Sequence, residues 1–443
     1  MHYNEGKDPG GCMKRAIKVL LLIVLFLTAC NINLFAQQKL AIKVWSFTVD
    51  PQSMEKIRTD LLDPYTKLHP GVSIIWENVP YKIFRDTILS AAAVKELPDV
   101  IIDASNTIGH YSTAGYIIPL DRYVSAWKTW PDFLETPKKQ AVYGGKTWGI
   151  PSRIKLNAPL LNIKLCRAAG LDPNNPPRTW AELAGWARKI SQVENGKMII
   201  QGFSGLSDGS TRIRAFELML QQNGSRLLND DQTAPAFNNA RGIQTLNSLI
   251  ELYRISEPPG VSVLAGDPLK NYSLGLVGIV PFDGFNAIAQ ALKANNHDIL
   301  RNTRLGVPLD SGYAGGRQLV MIDGDSMMIS RDAKNPDACF EFIKFLYEPD
   351  NHLLYTASNS IIPLLKSAYD SEYVRRTPFF RELLDVDKYG WVLANSPEYR
   401  EARERLLIEI DKAIFGKQSS TEALGLGEEL WKKAIQNSRT GDS

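Results

Sequence analysis

The sequence predicts an α/β protein of two domains. Between residues 40 and 103, short β-rich runs alternate with helical patterns in the order β-α-β-α-β, which points to a largely parallel sheet. Residues 150 to 300 turn mostly helical before strand patterns return. Roughly 410 residues remain after an export segment, enough for two domains on length alone.

The elements follow in order. Leu40 to Phe47 reads as a strand, Pro51 to Leu68 as a helix, and Val72 to Trp76 as a second strand. Lys82 to Lys95 reads as a helix. Asp99 to Asp103 (DVIID) has the nearly continuous apolar run of a strand buried on both faces. Gly144-Gly145 marks a turn between two short strands. Thr179-Trp180-Ala181-Glu182 is a capping box, in which the Thr oxygen and the Glu carboxylate satisfy amides left open at a helix start. Arg212 to Gln222 and Asn239 to Tyr253 carry apolar residues at helical spacing. Ser273 to Val280 (SLGLVGIV) and Leu305 to Pro308 read as strands. Leu319 to Ile322 and Met327 to Ile329 are two short apolar pieces. Asn335-Pro336 opens a helix with Asn as cap and Pro in its first turn. From about Pro397 two helices are expected, separated at Gly416, the second opened by the capping box Ser419 to Glu422.

The N-terminal region is built for export. Lys14, Arg15 and Lys18 precede an eleven-residue apolar run, Val19 to Ala29. A membrane-spanning helix needs about 20 residues, whereas the core of a signal peptide is shorter and has a basic flank. The run ends in Leu27-Thr28-Ala29-Cys30, which is similar to a bacterial lipobox, so residues 13–30 are expected to be a signal peptide with Cys30 as the lipidated residue. Cleavage after Ala36 is the alternative, and Met13 competes with Met1 as the start.

Composition excludes several classes. The chain carries a net charge of +3, and residues 1–29 hold four basic and two acidic groups, which leaves +1 for the rest. That is no nucleic-acid footprint, which requires a basic patch or stripe. After the signal only Cys30, Cys166 and Cys339 remain, and the last two are expected as buried free thiols. The five histidines lack zinc spacing. No G-x-S-x-G elbow or P-loop is present. Asp99 and Asp103 could form a carboxylate pair; the alternative is that Asp99 caps the strand and only Asp103 faces a cleft. No cofactor, metal or catalytic residue is expected. The nine tryptophans all follow residue 38; most are expected in cores, Trp180 and Trp186 among them, and the rest are available to stack on sugar rings.

Several segments in order carry a family resemblance. KVWSF leads to HPGVSIIWENVPY, then KELPDVIIDASN and STAGYIIPLDRYV, then GGKTWGIPSRI. LLNIKLCRAAGLDPNNPPRTWAELAGWARKI, FELMLQQNGSRLLNDDQTAPAFNNARG and KNPDACFEFIKFL follow. Together they resemble the family 1 extracellular solute-binding proteins of ABC importers, the group that includes maltose-binding protein. Three places depart from the family pattern: Leu161-Asn162 replaces Tyr-Asn, IVPFDGFNAI stands where many members have Gly-Pro-Trp, and the short NINLFAQQ stands where a Gly/Ser tether usually follows the lipidated cysteine.

The resemblance implies a two-lobed periplasmic binding protein fold, type II-like, with a hinge between lobes and the ligand in the interlobe cleft. By position, one lobe would be 39–148 plus 303–350 and the other 149–302 plus 351–437. It implies no enzyme but a monomeric binding subunit, periplasmic or at the cell surface. That subunit would hand a sugar or oligosaccharide to a membrane permease. The implied cleft residues are Trp45, Asp103, Asn106, Arg153, Lys155, Phe282, Asp283, Phe285, Gly315, Gly316, Arg317, Trp391 and Tyr399. As a second reading of the same fold, Arg153, Arg212, Arg214 and Arg317 would permit an anion such as a polyol phosphate. A polyamine binder, a ligand sensor and an extracellular hydrolase are the further alternatives.

Overall fold

Residues 39–47, 49–282, 284–377 and 379–440 are described by the computed structural model. The expected signal peptide 13–30, with Cys30, lies outside them, as does Asp283.

The first lobe starts as expected. β1 (Leu40–Ser46) buries Ile42 and Val44 and leaves Lys43 between them exposed. α1 (Pro51–Ile57) runs through a π-helical turn (Arg58–Leu62) into α2 (Asp63–Leu68), so the expected helix is continuous. β2 (Val72–Asn78), α3 (Tyr81–Ala93) and β3 (Val100–Ala104) follow, and α4 (Ile108–Thr113) covers the end of β3. β1 pairs in parallel with both β2 and β3. The hairpin of β4 (Val142–Tyr143) and β5 (Lys146–Thr147) turns on Gly144 and Gly145, both at positive φ, as a tight two-residue hairpin requires. β6 (Ile150–Asn157) is still part of the first sheet.

β7 (Leu160–Asn162) begins the second lobe. α5 (Trp180–Ile190) is capped by Thr179, whose Oγ1 accepts the Glu182 amide at 3.2 Å. The Glu182 carboxylate reaches one residue further back than the capping box predicts and accepts the Arg178 amide at 2.7 Å. β8 (Gln192–Glu194), β9 (Lys197–Phe203), α6 (Gly209–Gln222) and α7 (Ala240–Ser256) continue the lobe. The expected strand Ser273 to Val280 is shorter, β10 (Val277–Val280). Asp267-Pro268 caps a helix over Pro268–Ser273, and Gly275 at positive φ closes it, so only the apolar end extends. α8 (Gly284–Lys293) and β11 (Thr303–Leu305) follow. The second sheet runs β11-β7-β10-β9-β8.

β12 (Val320–Ile329) is one strand of ten residues, where two pieces were expected. The polar stretch Asp323-Gly324-Asp325 does not break it. A Cβ on Gly324 would stand 2.1 Å from the Arg153 carbonyl oxygen, so glycine lets β6 approach, and Asp325 is paired there with Arg153. β12 lies antiparallel to β3 on one side and to β6 on the other. α9 (Pro336–Leu346), capped by Asn335, and α10 (Pro349–Asn359) pack on this sheet. β13 (Gly390–Trp391) pairs with the start of β12. α11 (Tyr399–Ile414) and α12 (Ser420–Thr440), parted at Gly416, close the second lobe.

The two cores correct the lobe boundaries read from sequence. One cluster joins Ile42, Val100 and Phe342 to Tyr355, Leu365, Phe380 and Val386, so residues 351–386 belong with the first lobe. The other joins Phe216, Ile279 and Trp431 to Leu309, and β11 pairs with β7, so 303–309 belongs with the second. The chain therefore crosses between lobes near 158, between 309 and 320, and between 388 and 399. Cys166 and Cys339 are buried free thiols, as expected. No helix among the described residues is long and apolar enough to cross a membrane.

His352 of α10 helps tie the returned segment to the first core. Its ring stacks on Tyr347, and its Nε2 accepts the Leu364 amide at 3.0 Å. Burial pushes its pKa down to about 3. Below pH 6.5 the unfolded chain takes up a proton at this residue that the folded one refuses, so stability falls as pH drops between 6.5 and about 3. Between pH 6.5 and 5 this single group costs roughly 1.5 kcal/mol. Urea melts of His352→Gln should lose that share of the acid limb; an unchanged pH slope refutes the assignment.

Candidate functional site

The cavity between the lobes is built from strand ends of one and helices of the other. It encloses about 470 Å³, inside the range of about 300–1,000 Å³ for small-molecule sites. The first lobe supplies Phe47 after β1, Tyr81, Asp103 and Ala104 at the end of β3, Asn106, Lys155 on β6, and Asp323 and Asp325 on β12. The second supplies Ser210, Ile213 and Arg214 from α6 and Tyr399, Arg400, Arg403, Glu404 and Leu407 from α11. In open α/β sheets the crevice at the carboxyl ends of parallel strands is where ligands bind, and Asp103 is at such an end.

Asp103 is 4% exposed. Its Oδ2 accepts the Tyr111 hydroxyl at 2.6 Å, and its Oδ1 accepts the Ala104 amide at 2.7 Å. Burial raises its pKa to about 6 against the pull of these two bonds, with Asp325 adding to the rise. Across the cleft, Glu217 of α6 is 1% exposed. It accepts the Tyr399 hydroxyl at 2.6 Å and the Arg403 Nε at 3.1 Å on both oxygens. Burial raises the Glu217 pKa, although Arg403 and Tyr399 favour its charged form.

The lobes meet around the cavity. Arg214 of α6 stands 4.0 Å from Asp323 of β12. In the third crossing, the Asn395 side chain donates to the Val142 carbonyl at 2.9 Å, and its amide donates to Gln232 at 3.3 Å. Gly109 of α4 lets that crossing lie against the helix: a Cβ there would stand 1.6 Å from the Asn395 carbonyl oxygen.

Of the residues implied by the sequence, Asp103, Asn106, Lys155 and Tyr399 line this cavity. Arg317 and Trp391, again with Tyr399, line a neighbouring one of about 330 Å³. The others lie elsewhere. Trp45 lines a groove whose residues all belong to the first lobe, and its Nε1 donates to Glu77 at 2.8 Å. Arg153 is not in the lining itself: its Nε is held at 2.6 Å by Asp325, its register partner on β12, which is 2% exposed and does line the cavity. Phe282 is stacked on Trp180 inside the second core. Gly315 rests against Arg241, and Gly316 against Ser311 and Tyr313, in a second-lobe loop. Asp283 and the side chain of Phe285 are outside the described residues. Asp99 is structural: its carboxylate accepts the Lys43 and Lys334 amides. Arg212 is held by Asp411 and two carbonyls in the second lobe.

Sequence reading missed Glu217, Asp323, Asp325, Arg400, Arg403 and Glu404. Two signals could have found some of them. Arg403 and Leu407 follow Tyr399 at four-residue steps, one face of a helix. Asp323 and Asp325 interrupt an apolar strand pattern, where charge needs a partner or a function. Among the described residues no cluster of His, Cys, Asp and Glu could hold a metal.

Known proteins match this chain over most of its length. A family model described as bacterial extracellular solute-binding protein matches residues 60–381. A putative binding protein of Brucella abortus is 25% identical over 69% of this chain and 72% of its own. An uncharacterized lipoprotein of Streptomyces antibioticus is 22% identical over 79% of this chain and 76% of its own. The crystal structure of the cyclic alpha-maltosyl-1,6-maltose binding protein from Arthrobacter globiformis covers 90% of this chain and 100% of that one. Its TM-score is 0.73 at 22% identity, so it shows the same two-lobed fold.

Proposed function

This chain belongs to the bacterial extracellular solute-binding protein family, and from that membership we propose that it is the binding subunit of an ABC importer. It takes a sugar or oligosaccharide between its lobes and delivers it to a membrane permease, without chemistry of its own. The observation that carries this reading is the cavity itself, walled by both lobes, with buried carboxylates and guanidinium groups converging on it. Hydroxyls both donate and accept, so they suit such a lining, and Phe47 and Tyr81 supply ring faces. The Arthrobacter protein of the same fold is described as binding a cyclic maltosyl-maltose. Asp103, Asn106, Lys155 and Tyr399 are the sequence-derived residues assigned to ligand contact, and Arg317 and Trp391 to its neighbourhood. The lobes, with boundaries taken from the two cores, close on the ligand by a hinge motion.

A thermal-shift panel of mono-, di- and oligosaccharides tests the reading. Ligand at 100 times its dissociation constant adds about 2.7 kcal/mol to stability. A broad panel that leaves the melting temperature unmoved refutes it.

The family description places the chain outside the cytoplasm. We assign the anchor to Cys30, as a monomer tethered near its permease. The lipobox-like Leu27 to Cys30 and the similarity to a described lipoprotein support this. Mass spectrometry of the mature N-terminus from the native host should find a diacylglycerol-modified Cys30; an unmodified start at Gln37 overturns it.

A further inference from the structure

The chain enters the first lobe at the pole opposite the cleft. β1 and β3 run parallel, so Phe47 and Asp103 at their far ends face the cavity, while Lys39 and Asp99 stand at the other pole. The Leu40 amide donates to the Gly71 carbonyl at 2.8 Å, which sets the turn after α2 beside Lys39. β12 is antiparallel to β3, with Ile329 opposite Val100, and Asp99 accepts the Lys334 amide at 3.0 Å, so the loop after β12 lies at the same pole. The turn between α3 and β3 completes it.

Four exposed lysines lie at this pole, Lys39, Lys67, Lys95 and Lys334, and none of their ammonium groups is paired with a described residue. Leu68 and Val94, each next to one of them in the chain, are 68% and 65% exposed. The stretches 67–71, 94–99 and 330–335 hold three carboxylates. Asp99 is buried and engaged by two backbone amides, and Asp332 accepts the Leu97 amide and stands 3.5 Å from Arg331, which leaves Glu96 facing outward. Lys95 sits at φ 58°, where the end of a helix favours glycine or asparagine, so a lysine is held there against the preference of its backbone. Lysines beside exposed apolar side chains are the composition of a surface that lies on anionic lipid. Eight residues separate Lys39 from Cys30, and fully extended they span about 30 Å. We infer that this pole is a membrane-facing surface, which rests on the anionic headgroups of the bilayer holding the Cys30 anchor and turns the cleft toward the medium. This builds on the anchor assigned to Cys30 and adds the face that the anchored lobe presents to the lipid.

Co-sedimentation of the mature chain carrying Cys30→Ser, which has no lipid of its own, tests this with two kinds of vesicle. Vesicles of phosphatidylglycerol and phosphatidylcholine in equal parts should bind it, and vesicles of phosphatidylcholine alone should not. The binding should fall steeply between about 50 and about 500 mM salt, as screening shortens the reach of the lysines. Lys67→Gln, Lys95→Gly and Lys334→Gln should each weaken it roughly fivefold, and the three together about a hundredfold. Glycine suits the backbone at position 95, so Lys95→Gly keeps the fold, and melts monitored by circular dichroism check the others. Leu68→Ser with Val94→Ser should weaken binding several-fold and leave its salt dependence as it was. Lys189→Gln with Lys270→Gln removes two exposed charges from the second lobe and should change binding less than twofold. No binding to the anionic vesicles overturns the surface. So does binding that survives the triple variant, or that falls as much with the second-lobe pair. The vesicle result reports the surface alone, because the chain tested carries no lipid, whereas an unmodified native start at Gln37 counts against the anchor alone.

Discussion

Replacing Glu217 with alanine is expected to cost about 3–5 kcal/mol of stability, the usual penalty for removing one partner of a buried ion pair. Glu217 is buried in the second lobe and receives the Tyr399 hydroxyl and Arg403 Nε. Without it, both groups lose their acceptor, and Arg403 becomes a nearly buried charge with no counter-ion at this contact. The loss should also reach the cleft, because Arg403 and Tyr399 line it while Glu217 holds them from behind. Glu217→Gln keeps an acceptor for the hydroxyl and should lose clearly less. Urea unfolding of the two variants decides this. Equal losses would show that the charge on Glu217 does not matter and that the position is held by shape.

Arg153→Met should be comparably damaging, by about 3–5 kcal/mol. It strands Asp325, which is 2% exposed and joined to Arg153 at 2.6 Å. Burial works against the charge on Arg153, yet Asp325 outweighs it and raises the Arg153 pKa. A pair of this kind is expensive to break and cheap to remove whole. Arg153→Met with Asp325→Leu should therefore recover most of the loss in unfolding free energy. If the single variant unfolds like the parent, the pair contributes nothing. Family resemblance implied a ligand contact for Arg153, so this measurement also separates the two roles: a structural Arg153 moves stability far more than its direct effect on sugar affinity.

The legible part of this protein was local. Thr179, Asn335 and Ser419 start helices in the structure as their capping signals predict, because a cap and the amides it serves lie within four residues. The Gly144-Gly145 turn and Asp103 at a strand end were readable for the same reason. Motif order carried the family, and with it the two lobes, since several weak segments in sequence are jointly specific. Distant partners settled the rest. The family resemblance implied a cleft role for Arg153, but its partner is 172 residues away on β12. Glu217 looked like one more polar residue of a helix until α11, 182 residues on, set Tyr399 against it. Residues 351–386 carry no local mark of their lobe; they joined the first core because Tyr355, Leu365 and Phe380 find their apolar neighbours there. The sequence by itself therefore determined the caps, the turns and the class of fold. Tertiary structure alone decided which charged groups are neutralised inside a lobe and which are left to face the cleft, since a buried charge is settled by whatever group stands within a few ångströms of it, however far along the chain that group lies.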